Sequence, residues 1–140
     1  MPLTFKMCRG NNMHAPLIES TECISSSFKK VKLYLVGRLF DEDIISTIDN
    51  DNILKENVVV IGKRAFVDKS IIELEHQRSD IGLAIFPDSI HYDRKLLTKF
   101  YEYMYNGLPI VASNFKSWNE FIENTGSVIT VNPNDIEDIT

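Results

Sequence analysis

Residues 99–113 read KFYEYMYNGLPIVAS, and this stretch combines a helix, a stop and a strand. The spacing of the apolar residues predicts a helix over about 95–106, with Asp93 as a candidate N-cap. Gly107 is placed to end that helix in a left-handed turn, and Pro109 prevents its continuation. The residues that follow, LPIVAS at 108–113, predict a buried strand. This order of elements is typical of an α/β protein.

Short apolar runs of strand composition recur on both sides of this stretch. The six predicted strands are Leu3–Met7, Val31–Gly37, Val58–Gly62, Ile81–Phe86, Leu108–Ser113 and Gly126–Val131. Amphipathic stretches lie between them, and this alternation is typical of β-α units with a parallel sheet. Right-handed crossovers then place helices on both faces of the sheet. We therefore predict an α/β fold with a doubly wound, mainly parallel six-stranded sheet and helices on both faces.

Several helix starts have sequence signals of their own. SIIE at 70–73 and SWNE at 117–120 fit the capping box, which predicts Ser70 and Ser117 as N-caps. At the end of the sequence, NPNDIEDIT predicts a helix capped by Asn134 or Asp135. That helix has no body, so we expect the chain to be truncated or its final layer to come from another element.

Composition indicates one ordinary globular domain. The chain has 140 residues, of which 44% are hydrophobic and 25% charged, and this length suits a single domain over 1–140. A formal net charge of −5 argues against a nucleic-acid-binding protein, since that function needs a dense field of Lys and Arg. Partners are therefore expected among small molecules or proteins, not nucleic acids.

The cysteines, histidines and apolar runs indicate the cellular compartment and whether a metal is bound. Cys8 and Cys23 have no metal-ligand spacing, so we expect reduced structural thiols in the cytoplasm. His14, His76 and His91 form no pair at metal spacing, and none is assigned a role. No signal-peptide core and no apolar run long enough to cross a bilayer is visible, so no transmembrane segment is expected.

Lys99 and Glu102 are the first candidates for ligand binding. The predicted polar stripe of their helix consists of Lys95, Lys99, Glu102 and Asn106, and the apolar side of Leu96, Leu97, Phe100 and Met104. Near a helix start, a lysine suits a phosphate and a carboxylate suits the hydroxyls of a ribose. The alternative is a surface ion pair worth about 0.2–0.5 kcal/mol. Spacing alone favours that surface pair.

A family resemblance favours the ligand instead. DIGLAIFPDSIHYDRKLLTKFYEYMYNGLPIVAS at 80–113 and NEFIENTGSVITVNPND at 119–135 resemble the C-terminal, donor-binding domain of two-domain GT-B glycosyltransferases of group 1, or family 4. KLYLVG, NVVVIGKRAFVDKSIIEL and CRGNN fit more loosely, so the resemblance spans nearly the whole chain. It implies a Rossmann-like half of a GT-B fold, without the N-terminal acceptor domain.

The resemblance also implies donor-binding residues. Glu102 is similar to the second glutamate of the family's E-x7-E motif, which contacts the ribose, whereas Arg94 replaces the first glutamate. Lys99 is expected to hold the diphosphate, and Arg9 is a further candidate for it. Two glycines at strand ends, Gly37 and Gly62, are expected to let the backbone approach the nucleotide, although turn geometry explains both equally well.

Three further residues near strand ends have alternative explanations. Ser113 is a weaker candidate for a phosphate or the donor sugar, since turn chemistry also accounts for a serine there. Lys63 and Arg64 follow a predicted strand, so they face the nucleotide or form an exposed loop. The sequence leaves these alternatives open.

The activity implied by the resemblance is transfer of a sugar from a nucleoside diphosphate sugar to a glycan or lipid-linked acceptor, with retention and without a bound metal or cofactor. The expected partners are a nucleotide sugar and an N-terminal domain or partner subunit, with the inner face of the membrane as a possible location. The alternatives are a non-catalytic split subunit or docking module and a GT-B epimerase. A helix-lined phosphate pocket supports donor binding, whereas an apolar exposed face supports docking.

Overall fold

The protein is built on a parallel sheet. A computed structural model describes residues 3–8, 31–39, 42–87 and 97–139. The strands in these ranges are β1 (Leu3–Cys8), β2 (Val31–Val36), β3 (Val58–Ile61), β4 (Ile81–Ala84), β5 (Ile110–Ser113) and β6 (Val128–Val131). They form one sheet in the order β3-β2-β1-β4-β5-β6, and every neighbouring pair is parallel. The predicted α/β class with a parallel sheet is confirmed.

Strand order shows that the sheet is doubly wound. The chain moves outward from β1 through β2 to β3, and then returns to β4 on the other side of β1 before continuing to β5 and β6. Because crossovers between parallel strands are right-handed, this reversal places the helices of the two halves on opposite faces. Ligands of such sheets bind beyond the carboxyl ends of the strands, next to the reversal between β1 and β4.

The described helices connect these strands. They are α1 (Glu42–Asn50), α2 (Asn52–Asn57), α3 (Lys69–Arg78), α4 (Thr98–Tyr105), α5 (Lys116–Glu123) and α6 (Ile136–Ile139). None of the helices in the described ranges is long and apolar enough to cross a bilayer.

Two of the predicted N-caps were wrong. Helix α3 begins after Asp68 and helix α5 after Phe115, and neither of these N-cap side chains makes a capping hydrogen bond. Ser70 and Ser117 lie in the first helical turn, where a residue no longer has the extended backbone that an N-cap needs. Phe115 is buried, and its ring centroid lies 4.6 Å from that of Trp118. Helix α5 therefore begins at a residue that packs in the core and not at a capping side chain.

The cap of α6 was predicted correctly. The Asp135 carboxylate accepts hydrogen bonds from the backbone N–H groups of Glu137 (3.0 Å) and Asp138 (3.4 Å). This geometry is that of an N-cap, so Asp135 is the capping residue of the two alternatives.

Helix α4 ends as predicted but begins later. Its N-cap is Leu97, whose extended backbone (φ −81°, ψ 136°) separates the helix from the predicted start at Lys95. The proposed cap, Asp93, lies outside the described residues, as do Lys95 and Leu96. At the other end, Gly107 has φ +70°, its N–H donates to the Met104 carbonyl, and the next N–H donates to the Tyr103 carbonyl. These two bonds form a Schellman motif.

An aromatic cluster under α4 and α5 forms the centre of this half of the core. The Phe100 and Trp118 rings are fully buried and meet edge to face, with centroids 5.1 Å apart. Phe100 lies on the side of α4 predicted to face the sheet, where Leu97 and Met104 are partly buried. Because two large aromatic side chains are completely buried, the cluster is a main contributor to the stability of the fold.

Tyr103 anchors α4 to the sheet, a role that the sequence did not reveal. It is fully buried, and its hydroxyl donates a hydrogen bond of 3.2 Å to the Leu83 carbonyl. Its ring lies directly over Gly82, where an added Cβ would be 2.6 Å from ring carbons. Glycine at position 82 therefore allows α4 to approach β4 closely.

Candidate functional site: a cavity between two helices

A cavity of about 750 Å³ lies between α3 and α4. It is lined in part by Val36, the last residue of β2, by Gly37 and Arg38, which follow it, and by Phe66 and Val67, which precede α3. These loops extend from the carboxyl ends of β2 and β3, which is the edge where parallel sheets bind ligands. Volume and position both suit a small-molecule site.

The α4 wall carries the two residues that the sequence predicted. Lys99 and Glu102 both line the cavity, and Asn106 follows one turn below. Lys99 is half-buried and Glu102 is exposed. The Lys99 ammonium group lies 5.1 Å from the centroid of the Phe86 ring, a cation–π geometry that keeps the charge near the carboxyl end of β4. The structure thus brings both predicted side chains to one cavity.

The two glycines predicted for the site have different positions. Gly37 lines the cavity and has φ +131°. Gly62 has φ +105° and is not among the described lining residues, but a Cβ there would lie 2.4 Å from a Val67 methyl carbon and 2.7 Å from the Gly37 carbonyl oxygen. Gly62 therefore allows the loops after β2 and β3 to touch each other.

Ser113 is not among the described lining residues of the cavity. It is completely buried, and its hydroxyl accepts a hydrogen bond from the Phe86 N–H (2.7 Å) and donates one to the Phe86 carbonyl (2.9 Å). Both bonds serve the backbone that follows β4. The structure does not bring Ser113 together with Lys99 and Glu102.

The remaining basic candidates do not add to the described cavity. Arg9 lies outside the described residues. Lys63 and Arg64 are exposed in the loop after β3, and the guanidinium of Arg64 donates a 2.6 Å hydrogen bond to the Glu42 carboxylate. That hydrogen bond and the negative charge of Glu42 raise the pKa of Arg64. Lys63 and Arg64 are thus in an exposed loop, and neither is among the described lining residues of the cavity.

Comparison with known proteins identifies the family. A sequence model described as glycosyl transferases group 1 matches residues 7–140. The chain belongs to the group 1 glycosyltransferases. None of the curated proteins matches it.

Solved structures share the fold of this group 1 glycosyltransferase chain. TarM from S. aureus, solved as a mutant in complex with Fondaparinux, alpha-GlcNAc-glycerol and UDP, is 16% identical with a TM-score of 0.75 over 99% of this chain and 27% of TarM. The C-terminal domain of LpcC, a group 1 family protein from Francisella tularensis, is 14% identical with a TM-score of 0.73 over 99% of this chain and 73% of that domain. The resemblance to a GT-B C-terminal domain is confirmed.

An enzyme of another class has a similar fold. UDP-GlcNAc 2-epimerase from Neisseria meningitidis, solved bound to UDP-GlcNAc, is 12% identical with a TM-score of 0.65, over 99% of this chain and 33% of the epimerase. The chain thus spans about a quarter to a third of the solved TarM and epimerase chains. Likeness at this level of identity concerns the fold alone.

The α3 wall of this glycosyltransferase cavity was missed by the sequence analysis. Lys69, Glu73 and His76 line it, and the Lys69 ammonium lies 3.5 Å from the Glu73 carboxylate. His76 is only 2% exposed and its ring meets that of Tyr103 edge to face, with centroids 5.4 Å apart. The spacing i, i+4, i+7 was a usable signal, but Glu73 had been assigned to a capping box.

Aromatic side chains and charge complete the cavity. Phe66 is 72% exposed, with the Arg38 guanidinium 5.4 Å from its ring centroid, and Tyr105 is 91% exposed on α4. The charged residues of the described lining are three cations, Arg38, Lys69 and Lys99, and the two carboxylates of Glu73 and Glu102. In a chain with a net charge of −5, this lining has an excess of positive charge. Such a surface suits an anionic ligand with flat and polar parts.

Among the described residues, no group of three or more His, Cys, Asp or Glu side chains is arranged to hold a metal ion.

Proposed function

We propose that the chain is the donor-binding half of a retaining glycosyltransferase, which moves a sugar from a nucleoside diphosphate sugar to a glycan or lipid-linked acceptor. The observation that carries this proposal is the meeting of Gly37, Lys99 and Glu102 in one cavity at the carboxyl edge of the sheet. Family membership supports the reaction class. The UDP in the TarM complex supports the ligand class.

Each of these residues has a distinct task in the proposal. Glu102 accepts hydrogen bonds from the paired ribose hydroxyls, since a carboxylate offers only acceptors. Lys99 and Arg9 attract the diphosphate, on which negative charge grows as the glycosidic bond breaks. Gly37 lets the backbone approach the nucleotide closely. No metal ion or other cofactor is needed for these interactions.

The chemistry needs a second surface. In this proposal an N-terminal domain or partner subunit supplies the acceptor contacts, and transfer takes place between the two halves. The 140-residue chain alone then binds donor but transfers little sugar. We place the protein in the cytoplasm, with access to the inner face of the membrane where a lipid-linked acceptor is used, and in polysaccharide biosynthesis.

Calorimetric titration tests donor binding directly. UDP, GDP, ADP and their common sugar conjugates are titrated into the chain, into Glu102→Ala, and into Glu123→Ala as a matched control. Glu123 is an exposed carboxylate on α5 that is absent from the described cavity lining. We expect selective binding of one nucleotide, weakened about tenfold or more in Glu102→Ala because a charged acceptor is lost, and unchanged in Glu123→Ala.

Circular dichroism establishes that each variant is folded before it is titrated. Absence of binding by the folded chain, or equal affinity in Glu102→Ala, would contradict the proposal. The first of these outcomes favours the docking module, for which the partly exposed Ile71 and Leu74 on α3 are a candidate apolar surface.

A further inference from the structure

Phe66 brings an exposed aromatic ring to the cavity lining. It is 72% exposed, more than any other phenylalanine or aliphatic side chain among the exposed hydrophobic residues of the described ranges. A single exposed apolar side chain on a protein surface needs no explanation by itself. Phe66 differs because it belongs to a cavity of small-molecule size, and because the guanidinium of Arg38, another lining residue, lies 5.4 Å from its ring centroid. Two flat groups therefore lie together in the lining.

The loop that carries Phe66 is bound to the loop after β2. The Gly37 N–H donates a hydrogen bond to the Ile61 carbonyl (2.9 Å), and the Leu39 N–H donates one to the Lys63 carbonyl (2.6 Å). In the described ranges, Lys63 is the only residue other than glycine with a positive φ, which is +46°. This conformation is unfavourable for a residue with a Cβ, and such residues cluster at ligand sites. The hydrogen bonds give Phe66 a defined position at the carboxyl edge of the sheet.

Strand order shows how far this loop lies from Lys99. The Lys99 ammonium lies over the ring of Phe86, two residues beyond the end of β4, whereas Arg38 and Phe66 follow β2 and β3. Strands β2 and β3 are two and three positions away from β4 in the sheet. At about 4.8 Å between neighbouring strands, their ends lie about 10 Å and 14 Å from the end of β4. The cavity therefore extends from a cation near β4 to an aromatic ring near β3.

The proposed function gives the base of the nucleotide no contact. It assigns the diphosphate to Lys99 and the ribose to Glu102, and both of these residues lie on α4. The base is the only aromatic part of a nucleoside diphosphate sugar, and bases stack on aromatic side chains and on guanidinium planes. The transferred sugar has no aromatic face. By its chemistry, an exposed ring beside a guanidinium thus fits the base and not the sugar.

We propose that Phe66 binds the base of the donor, which stacks on its ring beside the Arg38 guanidinium. The inference rests on the proposed function, since it concerns the same nucleotide and adds a contact that neither Lys99 nor Glu102 provides. Because every base has an aromatic face, this contact increases affinity for the nucleotide without selecting one base.

Titration of variants at position 66 tests the stack. Calorimetry measures the affinities for UDP and UDP-glucose, GDP and GDP-mannose, and ADP and ADP-glucose with the unchanged chain, Phe66→Ala, Phe66→Trp and the control Ile129→Ala. Ile129 is 68% exposed on β6 and is not among the described lining residues. For the nucleotide that binds, we expect Phe66→Ala to weaken the free nucleotide and its sugar conjugate alike, by about tenfold. Phe66→Trp keeps an aromatic ring and should retain binding, and Ile129→Ala should bind like the unchanged chain.

The Phe66→Trp variant also reports the contact by fluorescence. Trp118 is the only natural tryptophan and is fully buried, so its emission, measured in the unchanged chain, is subtracted. A base stacked on the introduced indole should quench the remaining emission when the nucleotide saturates the site. Pyrophosphate, which has the diphosphate but no base, should leave that emission unchanged.

Failure of this inference is distinct from failure of the proposed function. If nucleotide binding depends on Glu102, the assignment of Phe66 is still overturned by a loss of less than about threefold in Phe66→Ala, or by unquenched emission at saturation. A loss confined to the sugar conjugate also overturns it, because the ring would then contact the transferred sugar. If the folded chain binds none of the nucleotides or conjugates, the proposed function fails and this inference fails with it.

Discussion

Helices α3 and α4 wall the same cavity but bury different kinds of side chain. Helix α4 buries two aromatic residues, Phe100 and Tyr103, and turns Glu102 outward, as an amphipathic helix should. Helix α3 buries His76 and leaves Leu74 42% exposed. The difference teaches that hydrophobic burial explains the rotation of α4 but not that of α3, which buries Glu75 and His76.

The strongest test of this contrast is Phe100→Ala. Phe100 is fully buried against Trp118, so truncation leaves a cavity and should lower the free energy of unfolding by about 3–5 kcal/mol. Urea denaturation measures the loss. Tyr101→Ala, on the same helix but 53% exposed, is the control and should lose far less. Equal losses in the two variants would show that α4 is not held by its aromatic face.

The C-terminal end of α4 provides a smaller test, Gly107→Ala. Gly107 has φ +70° and an added Cβ would meet nothing within 4 Å, so the cost is purely conformational. We expect the free energy of unfolding to fall by about 1 kcal/mol. Gly107→Asn should lose less, because asparagine tolerates the left-handed region better. If Gly107→Ala leaves the free energy of unfolding unchanged, the backbone at the end of α4 must adopt another turn in the variant.

The smallest effect is expected on α3, for Leu74→Gln. Glutamine is a good helix former and Leu74 is already 42% exposed, so we expect a change within about 0.5 kcal/mol in the same urea assay. A loss above about 1 kcal/mol would instead show that Leu74 is packed in solution, and the contrast between the two helices would lose its main support.

Strands and helix ends were the most predictable parts of the fold. Ile81–Ala84 and Ile110–Ser113 lie within runs of apolar residues, as strands buried on both faces must. Gly107 was predictable because only glycine adopts a left-handed backbone cheaply. Helix starts were less predictable: Ser70 fits a capping pattern, but the backbone had already turned helical at Lys69.

The cavity was predictable on one wall only. Lys99 and Glu102 were placed correctly because helix starts and strand ends meet at one edge of a parallel sheet. The α3 wall depends on the rotation of that helix about its axis, which long-range packing decides. The apolar residues Ile71 and Leu74 predict a different rotation, in which they would be buried. Helices α1 and α2, between β2 and β3, had no specific prediction, although Asp51 caps α2 through a 2.8 Å hydrogen bond from the Leu54 N–H.

Ser113 was a weaker candidate for a phosphate or the donor sugar, and its contacts in the structure give it an indirect influence on the cavity. The β4 ladder ends at Ala84, and beyond that point the hydroxyl of Ser113 holds both backbone groups of Phe86. The Lys99 ammonium rests over the Phe86 ring. A single hydroxyl on β5 therefore holds the backbone of the residue whose ring lies under a cation on α4, so a side chain of the sheet interior contributes to the position of a charge in the cavity lining.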